Sequence, residues 1–390
     1  MIGSARDITN RDTNGLRALR VLFDHQTFSY QKFGGNSRYF AELMTELYRT
    51  GEIDFDLAVA RSPNEYLAQA PFYRGKVSER VGVSAFFARY IRNVIETQLV
   101  ARRPHDIYHA TFYDPSAVLA LRGAKLVVTV LDMIPEHFPD YFHTTGLYGR
   151  FVTKRWIAGK RKLCERADAI LAISETTKRD VIAFYGIDPD RITVTHLGNR
   201  LVSDRSEPRL SGFPDRYLLF VGTRNTYKNF PFFVEGVAPV LANDPSLHVV
   251  CIGGGAFDTT ERSLIERIGL TDRVVQHSVS DRELAACYAH AVAFVFPSLY
   301  EGFGIPILEA FGCGCPAIVA DASCFPEIAG DAARYFDPKD RESLRAAVAE
   351  IIDKPVVADE LRRKGRERAR AFTWEATAQK TIAVYRELCR

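Results

Sequence analysis

Glu301 and Glu309, with seven residues between them in the stretch FPSLYEGFGIPILEAFGCGCPAIVA (Phe296–Ala320), have the residue type and spacing that point most directly to chemistry. Between them run Gly302, Phe303, Gly304, Ile305 and Pro306. Proline in a first helical turn loses no hydrogen bond, because the N–H it lacks would have no intrahelical partner. The stretch therefore predicts a buried strand over Val292–Phe296, a glycine-rich loop, a helix beginning near Pro306 and a further strand from Pro316. A loop that aims backbone N–H groups from a helix N-terminus holds an anion, with the helix dipole behind it. One glutamate beside such a loop complements the dipole and need do nothing else. Two that bracket it accept hydrogen bonds from hydroxyl-rich groups on either side of the anion, and that combination is the chemistry of a nucleotide-sugar.

The sequence EGFGIPILE followed by EAFGCGCPAIVAD resembles the donor-site signature of retaining glycosyltransferases of the GT-B fold, family 4. The resemblance runs from Leu19 to Leu388, with its motifs in family order. It implies that Glu301 meets the donor sugar hydroxyls, that Glu309 meets the ribose, and that the loop amides of Gly302, Phe303, Gly304 and Ile305 hold sugar and phosphates. It also implies an α/β fold of two doubly wound Rossmann-like domains facing across a cleft. The acceptor-binding domain would span residues 1–205 together with a C-terminal helix over 373–390, and the donor-binding domain residues 206–372.

Arg224 and Lys228 follow the strand-like run YLLFV in GTRNTYKNF. Arginine supplies a planar fork and lysine a compact charge, both suited to a diphosphate. The pattern G-T-R-x-x-Y-K-N resembles the family's pyrophosphate clamp, in which two cations stabilise the charge of the leaving group. No D-x-D motif follows a strand, so the expected site needs neither metal nor other cofactor. Val279, in HSVSD, is by resemblance the residue nearest the nucleobase. Gly253, Gly254 and Gly255 form another turn after a strand, compatible with close approach to a nucleotide or with a plain loop.

In the first half, Gly34 and Gly35 open a helix in GGNSRYF, where the resemblance implies contact with the donor diphosphate or the acceptor. The spacing is not G-x-G-x-x-G, so a nicotinamide-type fingerprint is absent. His109 and Asp132 end strands. A strand-end histidine is commonly a satisfied structural residue; by resemblance His109 would contact the acceptor or the transferred sugar. Family members often carry a His-Asp pair where this chain has Leu131-Asp132. That departure removes the family's His and fits better with a front-face retaining route, in which the departing phosphate takes the acceptor proton while Asp132 orients or polarises the acceptor. The combination of Q-x-x-G-G-x-S-R-Y-F, D-M-I-P-E and G-T-R-x-x-Y-K-N resembles bacterial mannosyltransferases of cell-surface polysaccharide assembly, with GDP-mannose as the leading donor and a carbohydrate or lipid-linked carbohydrate as acceptor. The alternatives are a UDP- or dTDP-sugar donor, a GT-B sugar-nucleotide epimerase, and a non-catalytic nucleotide-sugar-binding partner subunit.

Composition agrees with a globular chain of two domains: 390 residues, 47% hydrophobic and 25% charged. The polar stretch MIGSARDITNRDTNG has no apolar core of a signal peptide, and no apolar run approaches ~18 residues, so a cytoplasmic protein is expected. The seven cysteines lack metal-site spacing and read as reduced packing residues. Net charge is +3, with 29 Lys/Arg against 23 Asp/Glu over residues 1–205 and 22 against 25 thereafter. That margin suits an anionic surface or substrate, and nucleic acid is not among the expected partners. Ser84–Arg103, with Arg89, Arg92, Arg102 and Arg103, and Leu147–Arg166, with seven basic residues including Lys160, Arg161 and Lys162, are basic helices. Such helices lie on an anionic inner-leaflet surface or form a solvated face.

Short apolar runs alternating with helical periodicity predict two parallel sheets. Strands are expected at Leu19–Phe23, Asp56–Ala60, Ile107–His109, Lys125–Val130, Ala169–Ile173 and Ile192–Thr195. After a polar linker from Arg200 to Arg216 they are expected at Tyr217–Val221, Leu247–Ile252 and Val274–Val275. Gly51 should close the first helix and Ser174 should cap another. In such sheets ligands bind beyond the carboxyl ends of the strands. A last helix over Trp374–Leu388 crosses back to the first domain by resemblance alone.

Overall fold

The computed structural model describes residues 19–77, 83–139, 146–203, 208–224 and 226–390. The polar N-terminal stretch, part of the expected linker and the side chains of Arg150, Phe151 and Val152 lie outside the described residues.

The chain divides into two compact units. The first runs to Leu197 and regains Trp374–Arg390; the second is Gly198–Thr373. The division falls earlier than the expected boundary after residue 205, because Asn199 is tied into the second unit. Its side-chain amide donates to the carbonyls of Leu201 (2.8 Å) and Leu308 (3.0 Å), and its backbone N–H to Phe372 (3.2 Å).

The first unit holds a sheet of six parallel strands: β1 (Leu19–Phe23), β2 (Ile53–Leu57), β5 (Ile107–Ala110), β6 (Lys125–Val130), β7 (Ala169–Ala172) and β8 (Ile192–Val194), in the order β2-β1-β5-β6-β7-β8. A short parallel pair, β3 (Arg61–Ser62) and β4 (Lys76–Val77), stands apart. β5 and β7 are buried along their whole length, as their Ile, Leu and Ala content requires of strands covered on both faces. β2 lies a few residues earlier than expected: Phe55 pairs with Val21 and packs edge-on against Phe23 at 5.7 Å, which sets the register from Ile53. The helix Gly35–Thr50 buries Phe40, Leu43, Met44 and Leu47 and ends at Gly51. There φ is 64° and the Gly51 N–H returns to Leu47, a left-handed cap that suits glycine. Ser174 caps its helix through Thr177 N (3.0 Å). The helix Trp374–Leu388 belongs to the first unit: Trp374 meets the Tyr39 ring at 6.1 Å, and Thr377 donates to the His196 carbonyl at 2.6 Å.

The second unit repeats the plan with β9 (Arg216–Val221), β10 (Leu247–Ile252), β11 (Val274–His277), β12 (Ala293–Phe296), β13 (Ala317–Ala320) and β14 (Ala333–Phe336), all parallel, in the order β11-β10-β9-β12-β13-β14. Two of its helices start with a capping box, Asp258 with Glu261 and Ser280 with Glu283. Six of the seven cysteines are buried and Cys389 is exposed, as packing residues should be.

Both sheets reverse their winding direction beside their first strand, between β1 and β5 and between β9 and β12. Loops leaving two such neighbours run in opposite directions and open a crevice at the strands' carboxyl ends. The candidate sites are therefore the loops after β1 and β5, and those after β9 and β12.

Candidate active site

In the second unit the loops after β9 and β12 bring Lys228 and Glu301 together, Nζ to Oε1 at 2.5 Å, with the two side chains only 14% and 13% exposed. The Lys228 ammonium also lies over the rings of Tyr227 (5.4 Å) and Phe296 (5.6 Å). The Glu301 backbone is pinned by Ser323, whose hydroxyl accepts from Glu301 N (3.2 Å) and donates to Glu301 O (2.8 Å). A charge pair withdrawn from water in this way acts more strongly on a bound ion than the same pair at the surface.

Beside it the helix Ile305–Gly312 begins, with Pro306 in its first turn and Gly304 as its cap at φ 91°. A Cβ at Gly304 would sit 3.2 Å from Ile307 Cδ1 and 3.4 Å from the Phe325 ring, in a left-handed conformation, so glycine is required there. The two bracketing glutamates have different surroundings. Glu301 stands on the loop; Glu309, one turn into the helix, is 4% exposed and accepts from the Tyr288 hydroxyl at 3.3 Å.

The two expected cations part company as well. The Arg224 side chain is 2% exposed, with Nε on Glu261 at 2.8 Å. Its Nη1 donates to the Gly253 carbonyl (2.8 Å), and Nη2 to those of Gly255 (2.8 Å) and Ala256 (3.2 Å). Arg224 thus holds the triple-glycine turn after β10, where φ is 86°, 72° and 72°. A Cβ on Gly254 would come within 2.7 Å of Arg224 Nη1. Val279 is half-buried between β11 and the Ser280 cap.

In the first unit, His109 takes the structural one of its two readings. It is fully buried, with Nδ1 at 2.5 Å from the Tyr385 hydroxyl and Nε2 at 2.8 Å from Thr129 Oγ1. Both ring nitrogens are engaged, which corrects the expectation of a sugar contact. Burial pushes its pKa down to about 3 from 6.5. Below pH 6.5 the unfolded state therefore binds a proton that the folded state refuses, and stability falls as pH drops through the window from 6.5 to about 3. The expected loss from this group is ~1.4 kcal/mol per pH unit within the window. Urea unfolding at pH 7.5 and 5 measures it, and His109→Gln should flatten the slope.

Asp132, half-buried after β6, accepts from Ile134 N at 3.1 Å, and its carbonyl receives Lys160 Nζ at 3.0 Å. Lys160 also pairs with Glu136 at 2.9 Å, both side chains being 3% exposed. Lys160 is therefore a core residue, a correction to its expected place on a membrane-facing surface; Arg161 and Lys162 are exposed. Gly34 caps the helix Gly35–Thr50, and a Cβ on Gly35 would meet nothing within 4 Å, so the backbone there is open to close approach.

The residues that converge at the first crevice are ones the sequence reading passed over. Asp24, fully buried at the end of β1, accepts from Thr111 N (3.0 Å), Thr111 Oγ1 (2.5 Å), Gln26 Nε2 (2.8 Å) and the Tyr108 hydroxyl (3.0 Å). Gln26 in turn accepts from Asp114 N at 2.8 Å, and Asp114 accepts from the Tyr90 hydroxyl at 2.9 Å. Both halves of the cluster follow strand-like runs; the available signal was their position at strand ends. Among the described residues, no three His, Cys, Asp or Glu side chains gather as a metal-ligand group.

Two family models match the chain in succession: Glycosyltransferase Family 4 over residues 33–199 and Glycosyl transferases group 1 over residues 206–372. The chain is 25% identical to the O-antigen chain mannosyltransferase B of Escherichia coli, over 95% of this chain and 100% of that protein. It is 31% identical to the O-antigen chain mannosyltransferase RfbU of Salmonella typhimurium, over 58% of this chain and 61% of that one. Among solved structures, the sucrose-phosphate synthase of Thermosynechococcus elongatus superposes with a TM-score of 0.73 at 20% identity, covering 95% of this chain and 99% of that one. With both of its units matched and a fold like that of the solved glycosyltransferase, the chain belongs to the family 4 glycosyltransferases of the GT-B fold.

Proposed function

We propose that this glycosyltransferase moves a mannosyl residue from GDP-mannose to a hydroxyl of a lipid-linked or growing surface polysaccharide, with retention and without a bound metal. The observation that carries the reading is the Lys228–Glu301 pair at the second crevice, beside the glycine-capped start of the Ile305–Gly312 helix. The mannose part is supported by the two O-antigen mannosyltransferases the chain resembles.

In this reading Lys228 and the Gly302–Ile305 backbone take the charge of the departing diphosphate, and Glu301 accepts hydrogen bonds from the sugar hydroxyls. Glu309 serves the ribose and Val279 the base. Arg224 acts through the Gly253–Gly255 turn that it holds in place. The bond from the anomeric carbon to the phosphate oxygen breaks as the acceptor oxygen bonds the same face of that carbon. The acceptor's proton passes to the departing phosphate, and the products are the glycoside and GDP. Asp132 orients the acceptor hydroxyl.

A thermal-shift panel of GDP, UDP and dTDP with their sugar conjugates tests the donor. Ligand at 100 times its Kd stabilises by ~2.7 kcal/mol, enough to raise the melting temperature by several degrees. The expected shift is with GDP and GDP-mannose. A shift with UDP-sugars alone would replace the donor, and transfer abolished by EDTA and restored by a divalent cation would overturn metal independence.

The reading extends to docking on an anionic membrane. The helix Val83–Val100 carries Phe87, Ile91, Ile95 and Leu99 at four-residue spacing, each 44–56% exposed, with exposed Arg92 and Arg102 along the same stretch. An apolar stripe flanked by arginines suits the boundary between lipid headgroups and acyl chains. Among the described residues no helix is long and apolar enough to cross a membrane.

A further inference from the structure

At the mouth of the first crevice three aromatic rings from three separate segments meet in the open. Tyr30 follows β1, Phe112 follows β5, and Trp156 lies on the helix Gly146–Arg166. The Tyr30 and Phe112 centroids are 5.5 Å apart, and those of Phe112 and Trp156 are 5.9 Å apart at 88°. Tyr30 is 38% exposed, Trp156 39%, and Phe112 is partly exposed. Large aromatic residues stabilise a fold by burial, so a contiguous group left open at the carboxyl end of a sheet marks a binding surface.

We propose that these rings form a stacking subsite for a neutral pyranose ring of the acceptor, with Asp114 receiving its hydroxyls. A pyranose has an apolar face of C–H groups and an edge of hydroxyls. The C–H face fits the electron-rich face of an aromatic ring, and the hydroxyl edge needs an acceptor at its side. Asp114 is two residues from Phe112, half-buried, and held by the Tyr90 hydroxyl at 2.9 Å and Ser116 N at 2.9 Å. Tyr90 also backs the platform, its ring 5.7 Å from that of Tyr30. The buried Asp24 lies beneath, reached through Gln26. The Arg155 guanidinium acts on both Asp114 and Tyr30, so the charge at this crevice is partly balanced, which suits a neutral sugar. Its naming as an acceptor subsite rests on the transferase reading; its chemistry does not.

The chain has two tryptophans, and Trp374 is 3% exposed, so a change in intrinsic emission on adding saccharide reports on Trp156. The full chain, with GDP present, is titrated with methyl α-mannoside and with an α-linked mannotriose. The expected result is saturable quenching by the trisaccharide, weakened tenfold or more by Tyr30→Ala. Saturation-transfer NMR with the same trisaccharide should show binding lost in Trp156→Ala and kept in Trp156→Phe, while the GDP-induced thermal shift stays the same in both. Saturable quenching supports the subsite even if no nucleotide-sugar binds. A flat titration in protein that does bind GDP-mannose overturns the subsite and leaves the donor reading standing. Equal trisaccharide binding in Trp156→Ala and the parent chain overturns it as well.

Discussion

Glu301→Gln is expected to lower turnover by about 10²- to 10³-fold, the range seen when one preorganised polar contact to a transition state is removed. Glutamine keeps the shape and can still accept from Lys228, but it removes the charge that sets the ammonium in place at 2.5 Å. Lys228→Met is expected to cost a similar factor, by withdrawing the positive charge from the leaving group. Because the two residues share one interaction, the double variant should lose less than the product of the two single losses. Single-turnover transfer with labelled donor measures the rates, and thermal unfolding checks that each variant still folds. Transfer unchanged in Glu301→Gln would remove Glu301 from the site.

Lys160→Glu is expected to destabilise the first unit by about 3–5 kcal/mol, the cost of breaking a buried ion pair from one side. The substitution sets a third carboxylate beside Glu136 and Asp132, in a place where Lys160 and Glu136 are 3% exposed. Arg161→Glu and Lys162→Glu, on the exposed side of the same helix, should stay within about 0.5 kcal/mol of the parent. Urea unfolding separates the three; equal stability of all three would contradict the burial of Lys160. The contrast also determines how membrane docking is tested. A charge reversal at Lys160 would weaken vesicle binding by unfolding the chain, whereas Ile91→Glu on the exposed stripe should abolish co-sedimentation with anionic vesicles and leave the fold intact. Equal sedimentation of Ile91→Glu and the parent chain would sink the docking reading.

Much of the fold was legible along the chain because its signals act over a few residues. Gly51 ends a helix because glycine adopts a left-handed φ without strain, and Ser174 caps one because its oxygen reaches the N–H three residues on. Pro306 and Gly304 mark the start of the helix Ile305–Gly312 for equally local reasons. Apolar runs of Val, Ile, Leu and Phe announced parallel strands, and their alternation with helices announced two sheets. The second strand was placed late because its register depends on Phe55 packing against Phe23, a contact between strands.

Tertiary structure alone decided which of these pieces meet. Lys228 reaches Glu301 across 73 positions, Asp24 reaches Thr111 across 87, and His109 reaches Tyr385 across 276. Periodicity shows that a helix has two faces, but whether a face is covered depends on neighbours it does not encode. Phe87, Ile91, Ile95 and Leu99 are therefore exposed, while the basic Lys160 is buried. Arg224 became the anchor of a glycine turn because the loop after the neighbouring strand β10 delivers four carbonyl oxygens to its guanidinium. Residue type and local spacing determined the kind of chemistry available to this chain. The order of strands in each sheet decided which carboxylates, cations and rings share a crevice, because only that order sets which distant loops leave the sheet side by side.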